Sequence, residues 1–230
     1  MRELQSFKYD SPENIAPIGY YAEKDGIRYS DLVVISGEAS SGKTTLAMNM
    51  AVRGAKAGDK VYFISFEYTN NLVANRLYTI AGSYDLPIFV EDVDISTFGQ
   101  TISCIGNAIL TQGVRIVIID GLHTVSNEPQ YASRVLKCMA VDKNVCIIVT
   151  TQILMTSDHI PTRQNIIGFN IEVPDVFFLV NRPEMYNCYL RSAPDLNPKG
   201  LIEIFCEGRR MVGEYFIERL NKMTGVLERL

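Results

Sequence analysis

The sequence predicts an α/β fold: a mainly parallel central sheet, helices on both of its faces, and a C-terminal β-hairpin segment. Three observations predict it. Between residues 31 and 152, short apolar runs alternate with longer segments of helical spacing, the pattern of strand–helix units in a parallel sheet. The run VRIVIID (residues 114–120) is apolar along its length rather than alternating, as a strand is when both faces of its sheet are covered. After Pro198 the texture changes to GLIEIFCEG, GEYFIERL and TGVLERL, short strands joined by turns.

The elements follow in order. Residues 1–30 are polar, with Pro12, Pro17 and Gly19, and read as an arm or linker rather than core; the arm proper is placed at 1–18 and the folded domain at 19–230. DLVVIS (31–36) is a buried strand. TTLAMNMAVRGAKAG (44–58) is a helix, with Leu46, Met50 and Ala57 near helical spacing and Gly58 placed to end it. KVYFISFE (60–67) is a strand, and NNLVANRLYTIAG (70–82) a helix opened by asparagine capping chemistry and closed by glycine. A short strand, PIFVED (87–92), precedes a helix over 97–113. The strand 114–120 precedes a helix over 128–144, and VCIIVTTQ (145–152) is a further buried strand, followed after a loop by DVFFLVN (175–181).

Bulk properties bound the function. At 230 residues and 47% hydrophobic composition the chain makes one domain with a sizeable core. Its net charge of −4 gives no global basic signature for nucleic acid, although a local basic channel is compatible with an acidic total. The five cysteines form no C-x-x-C pair and read as reduced thiols, and neither histidine has a ligand-spaced partner, which argues against zinc. The charged N-terminus is unlike a secretory signal, and no apolar run has the length of a membrane span. A soluble, cytoplasmic protein is expected.

The chemistry starts at GEASSGKTT (37–45), which fits G-x-x-x-x-G-K-[ST] with Gly37, Gly42, Lys43 and Thr44 at the fixed positions. Such a loop curls so that successive N–H groups of Gly37, Glu38, Ala39, Ser40, Ser41, Gly42, Lys43, Thr44 and Thr45 face one anion, with the positive end of the next helix behind them. Lys43 reaches the β- and γ-phosphates of a nucleotide, and the Thr44 hydroxyl ligates Mg²⁺. A triphosphate site also needs a carboxylate near the metal, a group to orient water, and a cation near the transferred phosphate.

Candidates sit at strand ends, where open α/β sheets bind ligands. Asp120 ends an apolar strand, in the pattern that places a carboxylate near Mg²⁺; the plainer reading is an Asp-Gly turn. Glu67 ends its strand either as the base that polarises water or as a solvated residue. Gln152 is either a neutral sensor of the γ-phosphate or an ordinary polar strand end. Arg209 and Arg210 read either as a solvated turn or as an arginine finger entering a neighbouring subunit's site.

These residues, in this order, resemble the C-terminal motor domain of DnaB-type replicative helicases, a branch of the RecA-like P-loop ATPases. The likeness runs over most of 19–229. GIRYSDLVVISGEASSGKTTLAMNMA is similar to the family's approach to its phosphate loop, and YFISFEYTNNLVANRL to the segment bearing its catalytic glutamate, here Glu67. IVIIDGLHTV resembles the metal-binding strand end, VCIIVTTQ the strand of the glutamine switch, IEVPDVFFLVNRPEMYN the family stretch that follows, and LIEIFCEGRRMVG the arginine-finger hairpin, with Arg209 the better match.

Three departures stand out. Glu207 occupies the place of a lysine usual two residues before the finger, Arg210 that of a small polar residue, and the loop after Gln152 is short and lacks the family's charged run. Arg163 and Lys143 are weak candidates for contacts to nucleic acid, better read as solvated charges. About thirty residues precede the core, too few for the family's N-terminal helical domain.

The resemblance implies an ATP hydrolase using ATP and Mg²⁺, assembled as a homo-oligomer, in the family a hexamer, and translocating on single-stranded DNA during replication. Primase or a helicase loader are its implied partners. A virus- or plasmid-encoded helicase acting in a host cytoplasm suits the compact length. Two other readings stay open: a RecA- or KaiC-like ATPase serving as recombination mediator or regulatory switch, and an inactive helicase paralogue serving as a subunit of a replication complex.

Overall fold

The computed structural model describes residues 14–19, 26–91, 95–124, 128–154, 160–209 and 213–230. Six parallel strands form the centre of one nine-stranded sheet: β1 (Leu32–Gly37), β2 (Val61–Ser65), β3 (Ile88–Val90), β4 (Ile116–Asp120), β5 (Cys146–Gln152) and β6 (Val176–Asn181). Three antiparallel strands extend it: β7 (Leu201–Gly208), β8 (Glu214–Leu220) and β9 (Leu227–Arg229). The order is β3-β2-β4-β5-β1-β6-β7-β8-β9. The α/β class, the mainly parallel sheet and the C-terminal hairpins expected from the sequence are all present.

Strand periodicity splits the core into two layers. Val33, Ile35, Ile116, Ile118 and Ile148 point to one face, where α1 (Lys43–Lys56) and α2 (Asn70–Ala81) cover them with Leu46, Met50, Val73 and Leu77. Leu32, Val34, Val117, Ile119, Ile147 and Val149 point to the other, against Ile105 of α3 (Phe98–Gln112) and Leu136 of α4 (Pro129–Lys143). Each central strand is therefore apolar on both faces along its body, with polar residues gathered at its carboxyl end, the pattern that the sequence shows.

Two local expectations are corrected. The stretch 1–30 is not all arm: Ala16, Ile18, Ile27 and Tyr29 are buried in the first layer. Ile15 bridges Arg28, and the Tyr29 hydroxyl donates to Asp59 at 2.7 Å. The cap of α2 is Thr69, not an asparagine; Asn70 is already helical, and the Thr69 side chain makes no capping bond. By contrast, α3 starts with a full capping box, Thr97 and Gln100, and α2 and α3 both close on left-handed glycines, Gly82 and Gly113. A short helix that the sequence reading lacks, α5 (Pro183–Tyr186), follows β6 and brings Tyr186 to the mouth of the site.

Among the described residues no helix is long and apolar enough to cross a membrane.

Candidate functional site: a phosphate loop at the carboxyl ends of the strands

The loop from Gly37 to Thr44 joins the end of β1 to the start of α1. Its glycines are required by space and by conformation. A Cβ on Gly37 would lie 2.3 Å from the Val180 carbonyl oxygen and 2.6 Å from Ser41 Oγ. Gly42 has φ 106°, and a Cβ there would meet Ile202 at 2.8 Å. Ser40 takes φ 61°, unusual for a side chain and sustained here by the curl of the loop. No side chain caps α1, so its first N–H groups stay open toward the loop. Ser41 Oγ is buried and has no partner among the described residues. A cradle with open donors and an orphaned hydroxyl fits an oxyanion such as a nucleotide's phosphates.

Lys43 and Thr44 lie at the floor of the cradle, both buried. Lys43 Nζ donates to the Glu38 carbonyl at 2.7 Å. Burial holds its ammonium below the ordinary lysine pKa, partly opposed by the charges of Glu67, Asp120 and Glu38.

Thr44 Oγ1 donates to Asp120 Oδ1 at 2.9 Å. Asp120 is fully buried and accepts two further bonds, from Thr150 at 2.7 Å and from Ser65 at 2.9 Å. The sheet explains this convergence: Ser65 is the register partner of Asp120 between β2 and β4, and Thr150 belongs to neighbouring β5. A Thr hydroxyl and one oriented carboxylate form a hard oxygen pair, the donor set that suits Mg²⁺ when phosphate oxygens supply further ligands. Among the described residues no group of three His, Cys, Asp or Glu side chains could hold an ion alone, so the pair would need those oxygens.

Glu67 lies just past β2 and packs its Cγ so close to Gly121 that a Cβ there would sit 2.8 Å away. Burial raises its pKa above the ordinary carboxylate value and the charge of Asp120 adds to the rise, while Lys43 opposes it. Gln152 ends β5 directly opposite Gly37 in the parallel register. All these sequence-predicted residues are brought to one edge of the sheet.

Arg209 is not. Beyond the end of β7 its backbone N–H donates to Asp175, and its guanidinium donates to the carbonyls of Glu172 and Val173 at 3.0 and 3.3 Å. Asp175 holds the N–H of Leu32, so this is the amino end of β1, about 17 Å along the sheet from the phosphate loop by strand rise alone. Arg210 lies outside the described residues. Glu207 pairs with Arg163 at 3.4 Å, and Arg163 also donates to the Ile171 carbonyl and covers the Phe177 ring. Arg163 is thus engaged within the fold rather than solvated.

Three groups at the site escaped the sequence reading. His123, dismissed there for want of ligand spacing, lies one turn of 3₁₀ helix after Asp120, close enough to Lys43 and Asp120 for both to shift its pKa. Burial is the larger influence and lowers it, Lys43 lowers it further, and Asp120 opposes. Tyr186 donates to the Ala39 carbonyl at 2.7 Å; its own pKa is pushed up to about 12 by burial and by Glu38. Beside the cradle opens a cleft of about 340 Å³, lined by Thr45, Met48, Arg76 and Thr79 on one side and by the turn after β8 on the other. Asn49, buried on α1, fixes that turn: its amide donates to the Gly225 carbonyl at 2.9 Å and its oxygen accepts from the Leu227 N–H at 3.0 Å.

Comparison with known proteins agrees with the resemblance drawn from the sequence. The family model for the DnaB-like helicase C terminal domain matches residues 22–83, which include the phosphate loop and Glu67. A solved DnaB-like replicative helicase, described with its interactions with primase, superposes with a TM-score of 0.78 at 21% identity over 96% of this chain. The chain spans 65% of that helicase's length. A solved ATPase domain gives a TM-score of 0.80 at 20% identity, covering 96% of this chain and 94% of its own. A KaiC-like protein from the hyperthermophilic archaeon Pyrococcus horikoshii gives 0.66 at 12% identity, with 94% and 97% covered. No curated protein matches. At these identities the likeness establishes the fold, which is RecA-like.

Proposed function

We propose that the chain is an ATP-hydrolysing motor domain of the DnaB type, which completes its sites between subunits of a ring and translocates on single-stranded DNA. The observation that carries the reading is the convergence of Lys43, Thr44, Asp120 and Glu67 on one cradle, from the ends of three strands, β1, β4 and β2.

Each residue has a role that follows from its place. The loop N–H groups and the open end of α1 bind phosphate oxygens, and Ser41 Oγ gains the partner that it lacks. Lys43 leaves the Glu38 carbonyl for the phosphates, exchanging a neutral acceptor for an anionic one. Thr44 and Asp120 hold Mg²⁺ and its water shell, and the ion when bound neutralises charge on the β- and γ-phosphates. Glu67, with its raised pKa, takes a proton from the attacking water. Gln152, opposite Gly37, senses the γ-phosphate. Ribose and base extend from Thr45 into the neighbouring cleft, with Arg76 on its wall. Arg209, remote from its own cradle, or Arg210 beside it in sequence, serves the site of the next subunit.

ATP hydrolysis measured with and without single-stranded DNA, with Lys43→Ala as control, tests the reading. Turnover stimulated by the strand and lost in the control is expected; no lysine-dependent turnover at all overturns it.

One observation favours a second reading. Arg163, a basic group after Gln152, is neutralised by Glu207, where the family carries a lysine. Lysine-dependent turnover indifferent to DNA would make the chain a RecA- or KaiC-like regulatory ATPase.

A further inference from the structure

His123 occupies a position that none of the roles above uses. It sits between the cradle and the segment that returns after β5. On the cradle side it is the third residue after Asp120, in the 3₁₀ turn Leu122–Thr124, whose preceding Gly121 N–H donates to the same Thr150 hydroxyl that holds Asp120. On the other side it abuts Gly168, where a Cβ would fall 3.0 Å from the His123 Cβ and 3.3 Å from its Cα. Gly168 has φ +69°, so this close crossing depends on glycine twice, for space and for backbone.

The returning segment is itself tied to the end of β5. The Ile167 N–H donates to the Gln152 carbonyl at 2.8 Å, and its carbonyl accepts from the Thr151 hydroxyl at 2.6 Å. Leu154 donates to Asn165 at 2.7 Å, and Ile153 bridges Ile166. The residues 165–168 therefore rest on both Gln152 and His123.

One polar atom in this arrangement is unsatisfied. His123 Nδ1 is buried and has no hydrogen-bond partner among the described residues. A buried polar atom without a partner costs free energy, and it marks a position that a ligand or an ordered water completes.

We propose that His123 is a second sensor of the bound triphosphate: its Nδ1 is completed by a γ-phosphate oxygen, or by a water on that oxygen, and its ring then fixes the segment 165–168 through Gly168. The inference rests on the nucleotide reading above. It makes His123 a positioning residue that couples occupancy to a loop, working beside Gln152 on the same segment.

The chain has two histidines, so the imidazole of His123 can be followed in the wild type, with His159→Gln assigning the other signal. The ring nitrogen resonances, recorded by NMR on ¹⁵N-histidine protein, should shift when Mg²⁺ and a non-hydrolysable ATP analogue are added, and should stay near the apo position with Mg²⁺ and ADP. In parallel, amide exchange at Ile167 should slow several-fold with the analogue relative to ADP. His123→Leu should abolish that difference; His123→Asn, whose amide reaches the place of Nδ1, should restore part of it. Equal ring shifts with ADP and analogue, or an exchange difference intact in His123→Leu, would overturn the proposal while leaving the nucleotide reading standing. No binding of either nucleotide to the wild type, read by a fluorescent analogue, would overturn both.

Discussion

Thr44 Oγ1 and Asp120 Oδ1 are joined by a 2.9 Å hydrogen bond between residues 76 positions apart in the chain. The bond sets the geometry of the site before any ligand enters. It places a hydroxyl from the first turn of α1 against a carboxylate at the end of β4, and Ser65 and Thr150 lock that carboxylate from both neighbouring strands. Preorganised groups of this kind need little rearrangement when charge arrives, which is the main way that proteins stabilise phosphoryl transfer.

Lys43 should be essential for turnover and unfavourable for stability. Its lowered pKa means that the folded chain holds the proton less tightly than the unfolded chain does, so the charged lysine costs stability at neutral pH. Lys43→Met should reduce ATP turnover by about 100-fold or more. Thermal unfolding of the nucleotide-free variant should show a gain of about 1 kcal/mol, because a buried cation is replaced by an apolar side chain of similar length. A variant that loses both activity and stability would point to a structural lysine instead.

Glu67 should set the acidic limb of the rate profile. The base must be ionised to accept a proton, so turnover falls as pH drops through its pKa. Because burial and Asp120 raise that pKa, the limb should lie above the ordinary carboxylate range. The linked stability has the opposite sense. A raised folded pKa gives a contribution present at low pH and lost as pH rises through it, so Glu67→Gln should melt no lower than wild type at neutral pH. Steady-state rates across pH should show turnover of Glu67→Gln down by about 100-fold or more, with the limb absent.

What the sequence revealed about this site and what it hid have one physical cause, the range of the interaction. The phosphate loop is legible because its glycines, its lysine and its flanking strand and helix are contiguous. The placement of Asp120, Glu67 and Gln152 is legible because a parallel sheet aligns strand ends, so a polar residue after an apolar run lands at the sheet's carboxyl edge. His123 was not legible, since its place depends on one short 3₁₀ turn and on a loop crossing at Gly168. Tyr186 was hidden because the Ala39 carbonyl that it caps is 147 residues away. Ala16 and Ile18 flank Pro17 in a segment too short for any periodicity, and only the burial of both reveals them as core.

Arg209 offers a test of action between subunits. Its guanidinium rests on the carbonyls of Glu172 and Val173 at the far end of the strands, so it cannot serve its own cradle. Arg209→Ala and Glu67→Ala chains should each be inactive alone. Mixed in equal amounts they should recover a fraction of wild-type turnover, since some interfaces then pair an intact cradle with an intact arginine. Recovery should depend on protein concentration. If the mixture stays as inactive as its components under conditions in which wild-type chains associate, the arginine does not act across a boundary.

Asn49 should govern the cleft next to the phosphates. It is buried one turn beyond the loop, and it bonds the carbonyls of Thr45 and Gly225 and the N–H of Leu227. One side chain therefore ties α1 to the turn 221–225 that forms the far wall of the cleft. Asn49→Leu removes these bonds and strands the Leu227 N–H in an apolar setting, a loss of about 2 kcal/mol in unfolding experiments. Arg53 still donates to the Leu227 carbonyl, so the hairpin stays attached and the chain should fold. On the proposed nucleotide reading, inorganic triphosphate would touch only the cradle, whereas ATP would reach the cleft as well. Competition against a fluorescent nucleotide should then show ATP affinity falling about 10-fold while that of triphosphate stays within about 2-fold, since a lost contact of about 1.4 kcal/mol is one decade. An equal loss for both ligands would mean that Asn49 supports the phosphate loop rather than the wall of the cleft.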